Sequence, residues 1–422
     1  MSFINISQQH QRVSFKDAVL NPIGENSGIY FPHDIKPLDK DIFECGDFHQ
    51  IAVETLHNLT HNELSKDKLG SMVARAFNFP LELHSLTDKN HILELFHGPT
   101  LAFKDFGARF LAECLTEFNQ QKATIITATS GDTGAAVAHA FHGQPNVEVV
   151  VLYPEGKISK EQEQLFCTLG DNIRTVKVDG NFDNCQSLVK QAFNDEEVNN
   201  KLNLNSANSI NVARLLAQVC YYTALPTLIQ QPIDNLVVPS GNFGNITAAL
   251  IAKHMGAPVG HLIAATNAND TAPRFFNHKQ WLPQVTQRTL SNAMDVSQPN
   301  NFSRILYYYQ HKLDQLFVDM SALSISDAQT RQTIKELDTQ GYQVDPHTAV
   351  GMHALSKMNV GQTNNLVVST AHPAKFADVL EGILQKPISR PSAISECLTK
   401  PNLSIRIADD FDDFKEYLLA LD

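Results

Sequence analysis

The feature that most constrains the fold of this chain is a recurring order of β-prone run, loop of glycine and small polar residues, and helix-prone segment. The run at 123–128 leads into such a loop at 129–134, and the run at 236–238 leads into another at 239–245. Strands that alternate with helices favour α/β architecture with parallel sheets, and ligands of such folds bind beside the carboxyl ends of the strands. We therefore expect the chemistry of this protein to lie in these loops.

Residues 1–90 differ from the rest of the chain. Apolar residues recur at helical spacing in the segments 51–59 and 64–77, so this region is predicted to be mixed but mostly helical. It contains no motif that indicates chemistry, and we expect it to form a packing domain. The alternating pattern begins near residue 92, and 422 residues are enough for two or three domains.

Charge and apolar content exclude several classes of protein. Lys and Arg number 33 against 45 Asp and Glu, and the net charge of −12 argues against nucleic acid or an anionic membrane as the main partner. No apolar run approaches the ~18–20 residues that span a bilayer, and residues 1–11 lack the pattern of a secretory signal. The six cysteines are scattered, without metal-ligand or disulfide spacing. We expect a cytoplasmic protein with reduced thiols.

Lys104 is a candidate reactive lysine because of its position. Apolar residues recur at helical spacing from Phe106 to Phe118, so a helix is predicted to begin near Asp105. A cation gains nothing from the positive end of a helix dipole, and burial against Phe103 would lower the pKa of the amine. An imine with a carbonyl cofactor requires a lysine with a lowered pKa. On this context alone, a surface lysine at a helix start is the alternative interpretation.

The loop 240–245, with the sequence Ser-Gly-Asn-Phe-Gly-Asn, is a candidate phosphate site. Its two glycines permit close approach of the backbone, and the helix that follows offers unpaired N–H groups and the positive end of its dipole. It is not a Walker loop, since no Gly-Lys-Ser/Thr follows, and it lacks the G-x-G-x-x-G pattern of dinucleotide-binding folds. A plain turn between strand and helix is the alternative.

Two further polar segments are candidate anion sites. The loop 129–134 offers hydroxyls and amides at a helix start, which suit a carboxylate, but Asp132 is unfavourable there unless its side chain bonds elsewhere. The run 206–211 precedes Arg214, the best candidate for a bidentate phosphate clamp. Arg109 is its rival, although an aspartate four residues earlier could pair with Arg109 on the helix surface.

The histidines carry no signal of a metal site. His97, His347, His353 and His372 show no spacing typical of metal ligands, so we expect them to have structural roles or to lie behind the site. No G-x-S-x-G nucleophile motif is present. We therefore predict no metal.

Four motifs taken together resemble those of the threonine synthases, which are pyridoxal-phosphate enzymes of the tryptophan synthase β-subunit fold type. They occur in the expected order, and the run 206–211, the segment 293–301, Arg12 and the stretch 28–30 extend the resemblance over nearly the whole chain. The resemblance is closest to the branch with an extra N-terminal domain. The four motifs are His97-Gly98-Pro99-Thr100-Leu101-Ala102-Phe103-Lys104-Asp105, Thr129-Ser130-Gly131-Asp132-Thr133-Gly134, Pro239-Ser240-Gly241-Asn242-Phe243-Gly244-Asn245 and Thr370-Ala371-His372-Pro373-Ala374-Lys375-Phe376.

The resemblance implies an α/β fold of two three-layer lobes with mainly parallel sheets, known as PLP fold type II, plus a mostly helical N-terminal domain. The implied N-terminal domain covers residues 1–90. The catalytic region covers 91–400, and its smaller, mobile lobe covers approximately 100–205. Residues 401–422 are expected to form a C-terminal tail that packs on the catalytic region.

The resemblance also implies pyridoxal 5'-phosphate as the cofactor and gives roles to single residues. Lys104 matches the lysine that binds the cofactor as an imine and later carries protons. The implied cofactor contacts are Gly241, Asn242, Phe243 and Asn245 at the phosphate and Thr370 at the pyridine nitrogen. Many relatives of this fold type have an asparagine near the 3'-oxygen where this chain has Asp132, and Asn208 is our substitute candidate. The implied substrate-binding residues are Thr129, Ser130 and Thr133 at the carboxylate and Ser209, Asn211 and Arg214 at the phosphate.

The implied reaction converts O-phospho-L-homoserine and water to L-threonine and phosphate, a carbon–oxygen lyase reaction that completes threonine biosynthesis. One rival is a serine/threonine dehydratase or β-replacing synthase of the same fold, which needs no second phosphate site. Another is an inactive homologue that only binds, although the presence of Lys104, Thr370 and the whole 242–245 loop speaks against it. We expect a monomer or weak homodimer that acts on a small molecule, without nucleic acid or membrane.

Overall fold

The computed structural model describes residues 2–119, 121–310, 312–358 and 361–421. In these residues two mainly parallel sheets form the centres of two α/β lobes, and a small antiparallel sheet lies in the N-terminal part. The predicted α/β class is thereby confirmed. No helix in the described part of the chain is long and apolar enough to cross a membrane.

The N-terminal part combines four helices with the small sheet. Its elements are β1 (Phe3–Asn5), β2 (Arg12–Val13), α1 (Phe15–Leu20), β3 (Tyr30–Pro32), α2 (Lys40–Cys45), α3 (Phe48–Leu59) and α4 (Lys66–Ala76). The predicted amphipathic segments correspond to α3 and α4, and their apolar faces are buried in the main core. The sheet, in the order β2-β1-β3, was not predicted, because strands of two or three residues show no recognisable alternation.

From residue 82 onward, strands and helices alternate. In chain order they are β4 (Glu82–Ser85), β5 (Asn90–Glu94), α5 (Lys104–Phe118), β6 (Ala123–Ala128), α6 (Asp132–Phe141), β7 (Val147–Pro154), α7 (Lys160–Cys167), β8 (Ile173–Val178), α8 (Phe182–Asn194), α9 (Glu196–Leu202), β9 (Leu204–Ser206), α10 (Val212–Thr223), β10 (Ile233–Pro239), α11 (Gly244–His254), β11 (Val259–Thr266), α12 (Thr271–His278), α13 (Phe302–Tyr308), α14 (Leu313–Asp319), β12 (Met320–Ser324), α15 (Asp327–Thr339), α16 (Pro346–Ser356), β13 (Asn365–Ser369), α17 (Ala377–Leu384), α18 (Ser392–Cys397), β14 (Ile405–Ile407) and α19 (Phe411–Leu419).

The larger lobe is built on a six-stranded sheet in the order β12-β11-β10-β13-β5-β4. All neighbours are parallel except the edge pair β4 and β5. In the central strand β10, Leu236 pairs with Leu262 of β11 on one side and with Leu366 of β13 on the other. These three leucines are fully buried, as expected for a parallel sheet covered by helices on both faces.

The smaller lobe has a five-stranded parallel sheet in the order β14-β8-β7-β6-β9. Its edge strand β14 comes from the C-terminal tail, and α19 buries Phe414 and Leu418 in the core of this lobe together with residues of α8 and α9. The tail therefore packs on the catalytic region and completes the smaller lobe. The division of the chain at residues 90 and 400 stays a prediction, and β4 already belongs to the larger sheet.

Helices α5 and α10 pack against each other and bring the important loops together. The predicted helix near Asp105 is α5, which begins one residue earlier at Lys104. The predicted strands at 123–128 and 236–238 are β6 and the inner part of β10. Their loops are followed by α6 and α11, as the repeated pattern requires.

Candidate active site

The loops after β6, β10 and β13 meet around one cavity of about 790 Å³. All of the candidate residues except Thr129 and Asn211 line this cavity. A groove of about 1190 Å³ lies beside the N-terminal sheet, but none of the candidate residues lines it. The site is therefore sought in the first cavity, where the strand ends converge.

Lys104 lines the cavity at the first residue of α5. Its amine lies 5.8 Å from the centre of the Phe103 ring and has no hydrogen-bond partner among the described residues. Burial lowers the pKa of the Lys104 amine to about 8, which the Asp132 carboxylate opposes and the charges of Arg214 and Lys375 assist. More of this amine is unprotonated at neutral pH than in an ordinary lysine.

The loop 241–245 presents N–H groups at the start of α11. No side chain caps this helix, so the N–H groups of residues 244–246 have no partner within it. Phe243 precedes the helix with a φ of +60°, a left-handed conformation that turns the chain into it. Gly241 lies so close to the opposite loop that a Cβ atom would stand 2.6 Å from Met294 Cα. A helix start of this kind stabilises an anion.

Asn245 adds an unpaired donor at the same helix start. Its Oδ1 atom accepts hydrogen bonds from the hydroxyls of Tyr221 at 2.6 Å and Tyr222 at 2.7 Å, which fixes the amide. Its Nδ2 atom is buried and has no partner in the part of the chain that the structure describes. Because a buried donor without a partner costs about 1–3 kcal/mol, this position suits an acceptor such as a phosphate oxygen.

Asn242 joins three loops around the cavity. Its Nδ2 atom donates to Ser209 Oγ at 2.6 Å, and its Oδ1 atom accepts from the backbone N–H of Asn300 at 2.6 Å. Asn301 Nδ2 donates to the Asn242 carbonyl at 2.9 Å. These bonds hold the loops before α10 and α13 against the loop 241–245, so Asn242 fixes the position of Ser209.

Arg214 places an incompletely bonded cation in the cavity. Its side chain is 3% exposed, and Nη1 donates to the Ala207 carbonyl at 2.5 Å, whereas Nε has no partner among the described residues. Burial lowers the pKa of Arg214 to about 10. The rival Arg109 lies outside the cavity and donates to the carbonyls of Ala76 and Arg75. Arg214 is therefore the guanidinium that is free to bind an anion.

The loop after β6 brings hydroxyls to the opposite wall. Ser130 and Thr133 line the cavity at the start of α6, whose N-cap residue Gly131 has no side chain to accept from the helix. Thr129 does not line it, because its Oγ1 atom accepts from the N–H groups of Gly131 at 2.9 Å and Gly134 at 2.7 Å. Thr129 shapes the loop, while the other two hydroxyls and the free N–H groups are available to a carboxylate.

Asp132 does bond elsewhere, as a carboxylate site in this loop requires. Its Oδ1 atom lies 2.9 Å from Lys375 Nζ and accepts from Gln162 Nε2 at 3.0 Å. Burial raises the pKa of Asp132, but the charges of Lys375 and Lys104 outweigh burial and hold it well below its usual value. The carboxylate is thus charged and already paired.

Asn208 and Thr370 both line the cavity with unused donors. Asn208 Oδ1 accepts from Thr127 Oγ1, and its Nδ2 atom has no hydrogen-bond partner in the described residues. The Thr370 hydroxyl also has none there, although its backbone carbonyl accepts from the N–H of Phe103 at 2.9 Å. Both side chains can therefore bond to a ligand in the cavity.

Asn211 is the other candidate that the structure places away from the cavity. It caps α10, because its Oδ1 atom accepts from the N–H of Ala213 at 3.2 Å. Its Nδ2 atom donates to the Val19 carbonyl at 3.0 Å in the N-terminal part. Asn211 is fully buried and fixes the start of the helix that carries Arg214.

Arg304 was missed by the sequence reasoning, although it fixes the loop of Ser209. Its guanidinium is fully buried and donates to the carbonyls of Tyr30 at 3.0 Å, Ser209 at 3.1 Å and Ile210 at 2.8 Å. The only signal in the sequence was one arginine in the otherwise uncharged segment 302–308. A single arginine does not indicate which carbonyls it bonds, and the three acceptors are 94 to 274 residues away in the chain.

His347 lines the cavity, but both of its ring nitrogens are already bonded within the protein. Its Nδ1 atom bonds Asp345 Oδ2 at 2.6 Å, and its Nε2 atom accepts from the N–H of Ala293 at 3.2 Å. Nδ1 must therefore carry the proton, so the ring holds the loop that covers Gly241. Among the described residues, the one cluster with metal-ligand spacing is Glu82, Glu94 and His97, which does not line this cavity.

Three family models match the chain in series. The model "Threonine synthase N terminus" matches residues 2–77, "Pyridoxal-phosphate dependent enzyme" matches 84–370, and "Threonine synthase, C-terminal" matches 348–418. Together they cover nearly the whole chain, and the largest match alone covers more than half of it.

Known proteins resemble the chain over its full length. A curated threonine synthase of Escherichia coli (strain K12) is 48% identical over an alignment of 427 positions that covers 99% of both chains. The chain belongs to the threonine synthase family. A crystal structure of threonine synthase from Escherichia coli matches with a TM-score of 0.94 at 47% identity, covering 99% of each chain. A pyridoxal-phosphate-bound threonine synthase from Brucella melitensis matches with a TM-score of 0.92 at 30% identity, covering 99% of this chain and 98% of the other.

Family membership confirms the predicted fold type II, the extra N-terminal domain and the pyridoxal-phosphate cofactor of a threonine synthase. The residues present fit that cofactor. Lys104 supplies an amine of lowered pKa without a bonding partner, and the start of α11 supplies free N–H groups. The orphaned Nδ2 atom of Asn245 lies where a phosphate oxygen would complete its bonding.

Proposed function

We propose that this chain catalyses the threonine synthase reaction, from O-phospho-L-homoserine and water to L-threonine and phosphate, through the residues described above. The observation that carries the proposal is that one cavity offers two separate places for a phosphate. The start of α11, with Asn245, suits the phosphate of the cofactor. Arg214, with its unpaired Nε atom, suits the phosphate of the substrate. A dehydratase of the same fold needs only the first place.

Lys104 is the residue that attaches the cofactor and moves protons. Pyridoxal phosphate, when bound, supplies a conjugated ring that takes up the negative charge developing at Cα. The free Lys104 amine removes the Cα proton and serves again at Cβ and Cγ. Its pKa of about 8 supports this role, because a base acts best when its pKa lies near the operating pH.

Arg214 and Ser209 hold the phosphate that leaves Cγ. The guanidinium stabilises negative charge as the carbon–oxygen bond breaks, and it does so in a buried place where water competes little. Ser209 Oγ is held by Asn242 Nδ2 at 2.6 Å, so its position is fixed before the substrate binds. Asn211 contributes by capping the helix that carries Arg214.

The substrate carboxylate lies at the start of α6. Ser130 and Thr133 line the cavity there, and the N–H groups of residues 132 and 133 have no partner within the helix. Asp132 does not oppose the carboxylate, because its own charge is paired with Lys375. Thr129 keeps the loop in shape by accepting two backbone hydrogen bonds.

Thr370 and Asn208 complete the contacts to the cofactor ring. The Thr370 hydroxyl would meet the pyridine nitrogen of bound pyridoxal phosphate, where a neutral group, unlike a carboxylate, does not hold a proton. Asn208 Nδ2 would donate to the 3'-oxygen of the cofactor. Support for Asn208 over Asp132 comes from their bonding, because Asn208 has a free donor and Asp132 is occupied by Lys375 and Gln162.

The smaller lobe, approximately residues 100–205, closes over the substrate and keeps stray water out of the cavity. The two walls already approach each other where Asn292 Nδ2 contacts the Ser130 carbonyl at 3.5 Å. Exclusion of water protects reactive species until the one required water adds at Cβ. Crystals of matching form with and without a substrate analogue test the closure, and an unchanged orientation of the lobes would refute it.

The chain works in the cytoplasm as a monomer or weak homodimer, without nucleic acid or membrane. Its acidic net charge of −12 supports a protein that does not bind nucleic acid. The described residues include no helix that could cross a membrane.

The assay that tests the proposed function measures phosphate released from O-phospho-L-homoserine, with homoserine, serine and threonine as comparison substrates. We expect release of phosphate together with formation of threonine, and little turnover of the other three. Faster deamination of serine or threonine would instead support the dehydratase. A protein that takes up no pyridoxal phosphate would support the inactive homologue.

A further inference from the structure

Lys375 is a fully buried lysine at the meeting point of three loops of the site. Its Nζ atom lies 2.9 Å from Asp132 Oδ1 and donates to the Thr100 carbonyl at 2.6 Å. Asp132 begins α6 in the smaller lobe, Thr100 lies in the loop that leads to Lys104, and Lys375 follows β13 of the larger lobe. One ammonium group thus connects both lobes with the loop of the reactive lysine.

A ring of hydrogen bonds keeps Lys375 and Asp132 in place. Gln162 Nε2 donates to Asp132 Oδ1 at 3.0 Å, and Gln162 belongs to the capping box of α7. Ser159, the cap of that helix, donates from Oγ to the Lys375 carbonyl at 2.7 Å. The side chains of Lys375 and Asp132 are 0% and 4% exposed, so water does not loosen the pair.

Lys104 has the same amine group as Lys375. The Asp132 carboxylate interacts electrostatically with the Lys104 amine, but the two groups do not form a hydrogen bond. An Asp132 carboxylate that paired with Lys104 would hold its amine protonated and therefore unreactive. Three charged groups act on Lys104: Asp132 from α6, Arg214 from α10 and Lys375 from the segment after β13. The other titratable side chains that line the cavity are Lys157, Asp183, Arg288, Asp295 and His347.

We propose that Lys375 is a positioning residue that occupies the Asp132 carboxylate and so leaves the Lys104 amine free to react. The role rests on the proposed function of Lys104 as the lysine that binds the cofactor and moves protons. The pair also explains why an aspartate is compatible with the carboxylate-binding loop 129–134, because Lys375 neutralises the charge of Asp132. Neither side chain touches the substrate in this account.

The direction of the effect follows from the charges. The Lys375 ammonium group repels the Lys104 ammonium group and so lowers the pKa of Lys104. Its removal ends this repulsion and also leaves the Asp132 carboxylate unpaired, and that carboxylate raises the pKa of Lys104. Both changes raise the pKa of Lys104, by at least about one unit for a buried pair. Removal of the Asp132 charge takes away the attraction, so Asp132→Asn leaves the pKa unchanged or lower.

The test measures the pKa of Lys104 directly in the full-length chain after removal of pyridoxal phosphate. Circular dichroism first establishes that the chain remains folded. Trace acetic anhydride then labels the lysines between pH 6 and pH 11, and mass spectrometry of the Lys104 peptide gives the rate of labelling at each pH. The same variants are assayed as holoenzymes, where the acid limb of the kcat–pH profile reports the base that acts in turnover.

The variants are Lys375→Met, Lys375→Gln, Asp132→Asn and the double variant Lys375→Met/Asp132→Asn. We expect both Lys375 variants to shift the labelling midpoint and the acid limb upward by about one unit or more. The double variant should return the labelling midpoint and the acid limb towards their wild-type values, since it lacks the Asp132 carboxylate. Lys375→Gln can still donate to Thr100, so it keeps the test usable if the methionine variant does not fold.

Lys253→Met is the matched control. Lys253 Nζ also bonds one carboxylate, Asp319 Oδ1 at 2.6 Å, and one carbonyl, that of Gly260 at 2.7 Å, but it lies outside the cavity. The Lys253→Met substitution should lower the stability of the protein without moving the labelling midpoint of Lys104.

An unchanged Lys104 midpoint in the Lys375 variants, or a shift that the double variant does not reverse, would overturn the inference and leave Lys375 a structural clamp. An upward shift in Asp132→Asn alone would overturn it as well. These results concern an amine in the absence of substrate, so they are independent of phosphate release by the wild type. Failure of that release would instead overturn the proposed function.

Discussion

At the scale of single residues, the site contains polar groups that lack partners within the described protein. The Lys104 amine, Arg214 Nε and Asn245 Nδ2 all belong to the wall of one cavity. Buried polar groups in folded proteins are nearly always bonded, and the exceptions need an explanation. In the proposed function, ligands supply the missing partners: the cofactor phosphate for Asn245, the substrate phosphate for Arg214, and the carbonyl carbon of the cofactor for the Lys104 amine.

Replacement of Arg214 by alanine tests the second phosphate position. Loss of the guanidinium should lower kcat/KM for O-phospho-L-homoserine by about 10²–10³-fold, the usual effect of removing a group that stabilises a developing anion. The visible absorbance of the bound cofactor should remain, because Arg214 is assigned to the substrate. Steady-state phosphate release and an absorption spectrum measure the two effects.

Arg109→Ala is the control for that measurement. Arg109 bonds backbone carbonyls outside the cavity, so its loss should leave kcat/KM within about twofold of wild type. Undiminished turnover in the Arg214 variant would show that the substrate phosphate is bound elsewhere.

Single residues could be predicted from the sequence where their chemistry depends on local context. Lys104 at a helix start and Asn245 after a glycine loop are of this kind. The roles of Lys375 and Arg304 could not be predicted from the sequence, because they depend on acceptors such as Thr100, which is 275 residues from Lys375. The sequence could suggest that Asp132 bonds elsewhere, but it could not name the partner.

At the scale of elements, three of the helices of the site differ at their starts from the helices that carry capping boxes. The N-cap residues of α5, α6 and α11 make no side-chain cap, whereas α3, α7, α8 and α15 carry complete capping boxes. A cap would consume the N–H groups that an anion needs. The repeated strand–loop–helix pattern made these elements predictable, since the strands before the two glycine loops, β6 and β10, contain short buried apolar runs.

Gly241→Ala tests the phosphate loop before α11. A Cβ atom there would stand 2.6 Å from Met294 Cα and 3.0 Å from the Ala293 carbonyl oxygen, so the loop must shift. Overpacking of this kind costs about 1–3 kcal/mol, and we expect the dissociation constant of pyridoxal phosphate to rise about tenfold or more. Titration of the cofactor-free protein, followed by absorbance, measures it.

Gly244→Ala is the matched control in the same loop. The nearest atom to its Cβ would be Asn301 Nδ2 at 3.4 Å, an ordinary contact, so the affinity should change little. Equal losses in both variants would mean that close packing at Gly241 does not position the phosphate site.

At the scale of the whole molecule, the N-terminal part supports the catalytic site as well as packing against it. The Val19 carbonyl accepts from Asn211, and the Tyr30 carbonyl accepts from Arg304. Asn211 caps the start of α10, and Arg304 also donates to the carbonyl of Ser209 in the loop before that helix. The contacts of Val19 and Tyr30 with the catalytic region could not be predicted from the sequence. Residues 1–90 contain no motif that indicates chemistry, and their antiparallel strands are too short to be recognised.

Arg304→Met tests the link between the two parts. Three backbone carbonyls, of which that of Tyr30 is buried, would lose a charged donor, and we expect the free energy of unfolding to fall by about 2 kcal/mol or more. KM for O-phospho-L-homoserine should rise because Ser209 loses its support. Urea unfolding and steady-state kinetics measure both.

Arg75→Met is the comparison for that variant, since the exposed Arg75 side chain bonds only Glu113 among the described residues and the expected loss is below about 1 kcal/mol. If the two arginine variants were equally stable, the buried guanidinium would not join the two parts.

The central claim is that Lys104 binds pyridoxal phosphate covalently in this cavity. The most direct measurement reduces the holoenzyme with borohydride, digests it and determines the masses of the peptides. The account predicts a pyridoxyl group on the peptide that contains Lys104, at residue 104 itself. The added mass on any other lysine, or on no peptide at all, would contradict it.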